Sequence, residues 1–249
     1  MKTKLFLFSI ILLSNYCFGI KPSKSYVANP KTYGFDFKEI QLVTSDNISI
    51  NTWDITPKKE NKITIILCGT DAGNMSYFLG QSLTLANEGY NVITFDYRGF
   101  GKSQDFKIDT TLLFHNEFLL DFEAVIKYAK KLYPNNKIGT LGFSMGGYFP
   151  LITTMKLDFI IADSPLINIS VFLERLNEAG IKLPKNAVVP TLKKEIPQLY
   201  FLGNKDSLIN IEDIPNDFVL LYKGKHIQGS TILGERFYNF IDSFLSTLK

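Results

Sequence analysis

Lys137-Ile138-Gly139-Thr140-Leu141-Gly142-Phe143-Ser144-Met145-Gly146 decides the fold. An apolar run leads straight into G-x-S-x-G, and a helix-compatible stretch follows, so the serine falls on a sharp strand-to-helix turn of the nucleophile-elbow kind. That turn leaves no room for a Cβ two residues to either side of the serine, which is why glycines flank it. Gly147 adds a third small residue. A serine presented in this way is a candidate nucleophile, so the chain reads first as an enzyme.

Outward from the elbow, Gln198-Leu199-Tyr200-Phe201-Leu202-Gly203-Asn204-Lys205-Asp206 reads as a buried strand whose C-terminal loop delivers an aspartate. Gly224-Lys225-His226 supplies a histidine after it. Asp206 lies 62 residues beyond Ser144, room for a helix, a strand and a short insertion. His226 lies 20 further on, room for one helix and one strand. The chain has two histidines, and the other, His115, falls before the elbow within a helical pattern, so His226 is the candidate base. One duller role stays open: Asp206 as the N-cap of a short helix over 207–213, with Asp163 then the substitute acid.

The order Ser, Asp, His resembles that of the α/β-hydrolases, and the chain is similar to the small members grouped with serine aminopeptidase-like and prolyl-oligopeptidase-like hydrolases. The likeness rests on four segments. They are Leu67-Cys68-Gly69-Thr70-Asp71-Ala72-Gly73-Asn74, then Phe95-Asp96-Tyr97-Arg98-Gly99-Phe100-Gly101-Lys102-Ser103, which resembles D-x-R-G-x-G-x-S, then the elbow, then the Asp206 and His226 loops. The resemblance implies a mostly parallel central sheet with helices on both faces, a Ser144–His226–Asp206 triad, and an oxyanion hole built from the backbone N–H groups of Met145 and Thr70. Cys68-Gly69 stands where the family usually has His-Gly. Asp71 competes with Thr70 for the oxyanion position, and a carboxylate there opposes catalysis, so Asp71 is expected to point away. Asp96 and Arg98 are expected to pin their loop rather than touch substrate.

Composition bounds the rest. At 249 residues and 45% hydrophobic, the chain supports one core and one domain. Its net charge is +3, of which Lys2 and Lys4 supply two; the +1 that remains argues against nucleic acid, which demands clustered basic charge. Those lysines open a stretch that reads as a secretory leader: a basic start, the apolar run Leu5 to Leu13 broken only by Ser9, and small residues at Cys17 and Gly19. Residues 1–19 are therefore expected to be removed, and 20–249 to form a single exported domain, periplasmic or secreted. The alternative is an uncleaved anchor, although the run falls short of the roughly 20 apolar residues of a span. Lipidation at Cys17 is disfavoured by Tyr16. Cleavage leaves Cys68 as the one cysteine, so no intrachain disulfide is expected.

Periodicity lays out the elements. Phe37–Val43 and 47–55 read as an opening hairpin, and 62–68 and Asn91–Phe95 as central strands covered on both faces. Phe114, Phe118, Phe122, Val125, Ala129 and Leu132 mark a helix ended by Pro134, and Phe237, Phe240, Ile241, Phe244 and Leu248 a last one. Between 164 and 196 the alternation lapses into one amphipathic helix around 171–179 and a Pro- and Lys-bearing loop, read as a small cap over an open site.

Two functions follow as expectations. The first is a serine hydrolase that cleaves carboxylic esters, or related acyl or peptide bonds, through an acyl-enzyme, with a small-molecule acyl or peptidyl substrate and neither cofactor nor metal; esterase is preferred over peptidase. The second is a catalytically silent binding protein on the same scaffold, suggested by Cys68 and Asp71.

Overall fold

The computed structural model describes residues 19–167, 176–178, 180–190, 195–209, 214 and 219–248. The leader reading, most of the cap helix around 171–179 and part of the 207–213 segment therefore lie outside the described residues.

The strands, in chain order, are β1 (Lys21–Pro22), β2 (Phe37–Val43), β3 (Ser49–Ile55), β4 (Ile63–Cys68), β5 (Ala72–Gly73), β6 (Asn91–Phe95), β7 (Lys137–Phe143), β8 (Phe159–Asp163), β9 (Gln198–Gly203) and β10 (Val219–Tyr222). Helices α1 (Leu79–Asn87), α2 (Phe118–Leu132), α3 (Met145–Ile152), α4 (Gly229–Leu233) and α5 (Glu235–Ser246) follow their strands. The main sheet has the order β10-β9-β8-β7-β4-β6-β3-β2. All its pairings are parallel except β2 with β3 and β3 with β6. The hairpin, the central strands and the final helix thus take the places expected for them.

Burial explains the parallel half. Every residue of β4, β6 and β8 is buried, whereas β2 alternates and its outer residues meet solvent. Continuous β-branched runs suit strands sandwiched between helices, and alternation suits a strand with one wet face. One core layer gathers Phe118, Phe122, Phe149 and Tyr200 on one face of the sheet; the other gathers Trp53, Leu83, Phe201 and Phe237.

The α2 pattern begins one turn earlier in the sequence than in the structure. Phe114 and His115 precede the helix because their side chains are engaged elsewhere: Phe114 packs on Tyr148 with centroids 4.5 Å apart, and His115 Nε2 accepts the N–H of Asp109 at 3.0 Å. His115, wedged against Phe106 and Phe118, is buried and structural.

Arg98 and Asp96 do the pinning expected of them. Arg98 is 1% exposed and held between Asp121 of α2 (Nε to Oδ1, 2.9 Å) and Asp46 of the hairpin turn (Nη1 to Oδ2, 2.6 Å). Asp96 accepts the Met75 N–H at 2.8 Å and the Tyr26 hydroxyl, joining the β6 loop to two other segments.

Candidate active site

The elbow follows from contacts around the carboxyl end of β7. Cys68 of β4 and Asp163 of β8 flank this end, in register with Gly142 and Phe143 respectively. A Cβ on Gly142 would stand 2.6 Å from the Cα of Gly147, and one on Gly146 would run into the Cys68 and Gly69 carbonyl oxygens, so both positions exclude any side chain. Between them Ser144 takes φ 49° and ψ −113°, a strained conformation for a residue with a Cβ. Hydrogen bonds hold it there: Ser144 N–H donates to Asp163 O at 3.1 Å, and Gly147 N–H to Ser144 O at 2.9 Å.

The three sequence-selected side chains meet. Ser144 Oγ lies 2.8 Å from His226 Nε2, and His226 Nδ1 lies 2.9 Å from Asp206 Oδ2, across 82 and 20 residues of chain. The second Asp206 oxygen accepts Leu208 N–H at 2.9 Å, so this carboxylate also closes its own turn. Burial works to raise the Asp206 pKa, but the His226 hydrogen bond and charge outweigh it and hold the group below the usual carboxylate range. Ser144 is 9% exposed, and His226 keeps a partly open face.

Met145 opens α3, so its N–H has no partner inside the helix and sits at the positive end of the helix dipole. The Cys68–Thr70 loop abuts the elbow through the close approach at Gly146. Thr70 turns its hydroxyl to Ala72, accepting N–H at 3.3 Å and donating to the carbonyl at 3.1 Å. Asp71 is half-buried in the same loop. Burial pushes its pKa up to about 6, against the opposing charges of His226 and Lys21. Cys68 is fully buried, and burial pushes its thiol pKa well up, as suits an inert packing residue.

Asp163 makes no hydrogen bond to the imidazole, whose two nitrogens face Asp206 and Ser144. It lies fully buried beneath the His226 turn and accepts Gly229 N–H at 2.8 Å and the Tyr222 hydroxyl at 3.0 Å. Burial, opposed by these donors and by the His226 charge, pushes its pKa up to about 7. Ser164 and Tyr222 escaped the sequence reading; the available signal was a polar Asp-Ser pair ending the apolar run Phe159-Ile160-Ile161-Ala162. Among the described residues no group of His, Cys, Asp and Glu is arranged to hold a metal ion.

Residues 64–216 match the model of the family described as serine aminopeptidase, S33. An uncharacterized membrane protein of Saccharomyces cerevisiae, YNL320W, is 24% identical over 90% of this chain and 84% of its own. Among solved structures, the Pyrococcus furiosus esterase PF2001 superposes with a TM-score of 0.72 at 24% identity, covering 92% of this chain and 98% of that one. A serine hydrolase without a lid from Xanthomonas campestris, XC6422, gives 0.57 at 15% identity, covering 84% and 92%.

Proposed function

Because the chain belongs to the serine aminopeptidase S33 family of α/β-hydrolases, we propose that Ser144, His226 and Asp206 form a working triad that hydrolyses carboxylic esters through an acyl-enzyme. One observation carries this reading: the continuous Ser144–His226–Asp206 hydrogen-bond chain at a strained elbow. Strain at a nucleophile is maintained only where surrounding packing enforces it, and here the glycine contacts do so.

In the mechanism, Ser144 donates its proton to His226 Nε2 as its Oγ attacks the substrate carbonyl. His226 then passes that proton to the leaving group. Water repeats the sequence on the acyl-enzyme and regenerates Ser144. Asp206 keeps the Nδ1 proton on the imidazole and offsets the imidazolium charge. The N–H groups of Met145 and Thr70 serve the oxyanion. Proton transfer by His226 contributes ~10²–10⁴-fold, and each oxyanion donor ~10²–10³-fold.

Esterase is preferred over peptidase, and small acyl groups over long ones. The PF2001 esterase, alike in fold, supports the ester reading, and the lidless XC6422 supports an open site. The silent-scaffold alternative draws on Cys68 and Asp71 of the 67–74 loop, where an ionised carboxylate turned to the site would oppose an oxyanion. Turnover of short p-nitrophenyl esters, compared with aminoacyl p-nitroanilides, tests the assignment: esters are hydrolysed faster, and Ser144→Ala abolishes the activity. Ester hydrolysis untouched by Ser144→Ala sinks it. We further infer that residues 1–19 are an export leader, so that the hydrolase acts outside the cytoplasm; intact mass of the exported chain, starting at Ile20, tests this.

A further inference from the structure

The turn from Lys225 to Gly229, which carries His226, rests on a buried cluster that the reaction scheme leaves unused. Three successive N–H groups of the turn enter it. Ile227 donates to Ser164 Oγ at 3.1 Å, Gln228 to Tyr222 Oη at 2.9 Å, and Gly229 to Asp163 Oδ2 at 2.8 Å. The cluster is bonded within itself: Tyr222 Oη lies 3.0 Å from Asp163 Oδ1 and 2.9 Å from the Lys225 carbonyl, and Ser164 Oγ lies 3.3 Å from Asp163 Oδ1. Asp163 and Ser164 are fully buried and Tyr222 nearly so.

The same cluster reaches the other two members of the site. The Asp163 carbonyl accepts the Ser144 N–H, and Ser164 N–H donates to Phe201 O of β9, the strand that delivers Asp206. One dipeptide at the end of β8 therefore holds backbone on both sides of it.

Local strain marks where the clamp acts. Ser164 and Ile227 both hold positive φ, 52° and 51°, and Ile227 is β-branched. Such conformations are unfavourable and persist only where neighbours over-determine them. At Gly229 a Cβ would stand 2.7 Å from Asp163 Oδ2, so that N–H approaches the carboxyl only because the residue is glycine.

We propose that Asp163, Ser164 and Tyr222 are positioning residues, a clamp that fixes the His226 turn so that the imidazole meets Ser144 and Asp206 together. The proposal rests on the serine-hydrolase reading above. It differs from a second-acid role in what it requires of Asp163: acceptors for N–H and O–H groups, which an asparagine largely reproduces, rather than a charge on the imidazole.

The test is kcat and KM for a short p-nitrophenyl ester. Tyr222→Phe, which deletes one hydroxyl, lowers kcat roughly 10-fold at nearly constant KM, because small misplacement of a catalytic group is costly. Asp163→Leu costs roughly 100-fold or more, and Asp163→Asn recovers most of that loss, whereas Asp206→Asn recovers nothing relative to Asp206→Leu. In a His226→Ala background, Tyr222→Phe has no further effect on residual turnover, since the clamp acts through the imidazole. The proposal is overturned by a Tyr222→Phe variant with unchanged kcat and unchanged melting temperature, by Asp163→Asn being as damaging as Asp206→Asn, or by an undiminished Tyr222→Phe effect without His226. A native chain without Ser144-dependent turnover overturns the parent reading instead, and this inference falls with it.

Discussion

His226 Nδ1 and Asp206 Oδ2 stand 2.9 Å apart, while the other Asp206 oxygen is committed to Leu208 N–H, so the carboxylate cannot rotate away from the imidazole without breaking its own turn. Asp206→Asn keeps that turn but presents an amide to Nδ1, favouring the wrong tautomer. Steady-state hydrolysis of a short ester is expected to show kcat lower by ~10³–10⁴-fold, with KM within a few-fold of the native value.

The buried Asp163 makes stability depend on pH in an unusual direction. Its pKa is about 7 in the folded chain and about 4 when unfolded, so between those values the folded state binds more protons. Its contribution is complete below pH 4 and is lost as pH rises toward 7. Asp96, pushed up to about 6 by burial, adds to the same trend. Urea midpoints are expected to fall from pH 5 to pH 7.5, and to fall less in Asp163→Asn. Equal slopes in the two proteins would show that Asp163 does not titrate in this window.

Gly146 is the position where a single methyl group is least tolerable. Its Cβ would enter the Cys68 and Gly69 carbonyls, which are backbone and cannot swing aside. Gly146→Ala is expected to cost about 3 kcal/mol or more by urea denaturation, with loss of ester turnover in whatever fraction stays folded.

The segment after the expected leader is part of the core. Ile20 is 0% exposed, Lys21 and Pro22 pair with Ala72 and Gly73 just after the Cys68–Thr70 loop, and the Asn74 side chain donates to Ser23 O and Ser25 O. Ile20→Ala is expected to destabilise the chain by ~2–4 kcal/mol, read by thermal or urea melting. A change under about 0.5 kcal/mol would mean that this segment is dispensable.

What was legible in the sequence was what repeats locally. Period-two and apolar runs placed β2, β3, β4 and β6, and glycine spacing placed Ser144, because each depends on residues within one element. Asp206 and His226 were legible through strand-end chemistry and chain order. The clamp was not: Asp163 meets Gly229 and Tyr222 across 66 and 59 residues, and nothing near Asp163 in sequence signals those partners. His115 looked helical because Phe114 keeps the helix period, yet tertiary contacts to Tyr148 and Asp109 hold both residues off the helix. Ile20 read as the residue after a cleavage site, and burial of so terminal a residue follows only from the β1–β5 pairing.

Whether Ser144 is a nucleophile activated by His226 is decided by covalent labelling with a fluorophosphonate, read by intact mass. One adduct is expected on the native chain, none on Ser144→Ala, and labelling slower by ~10²-fold or more on His226→Ala. A folded native chain that takes no adduct, or an adduct that survives Ser144→Ala, would contradict the account.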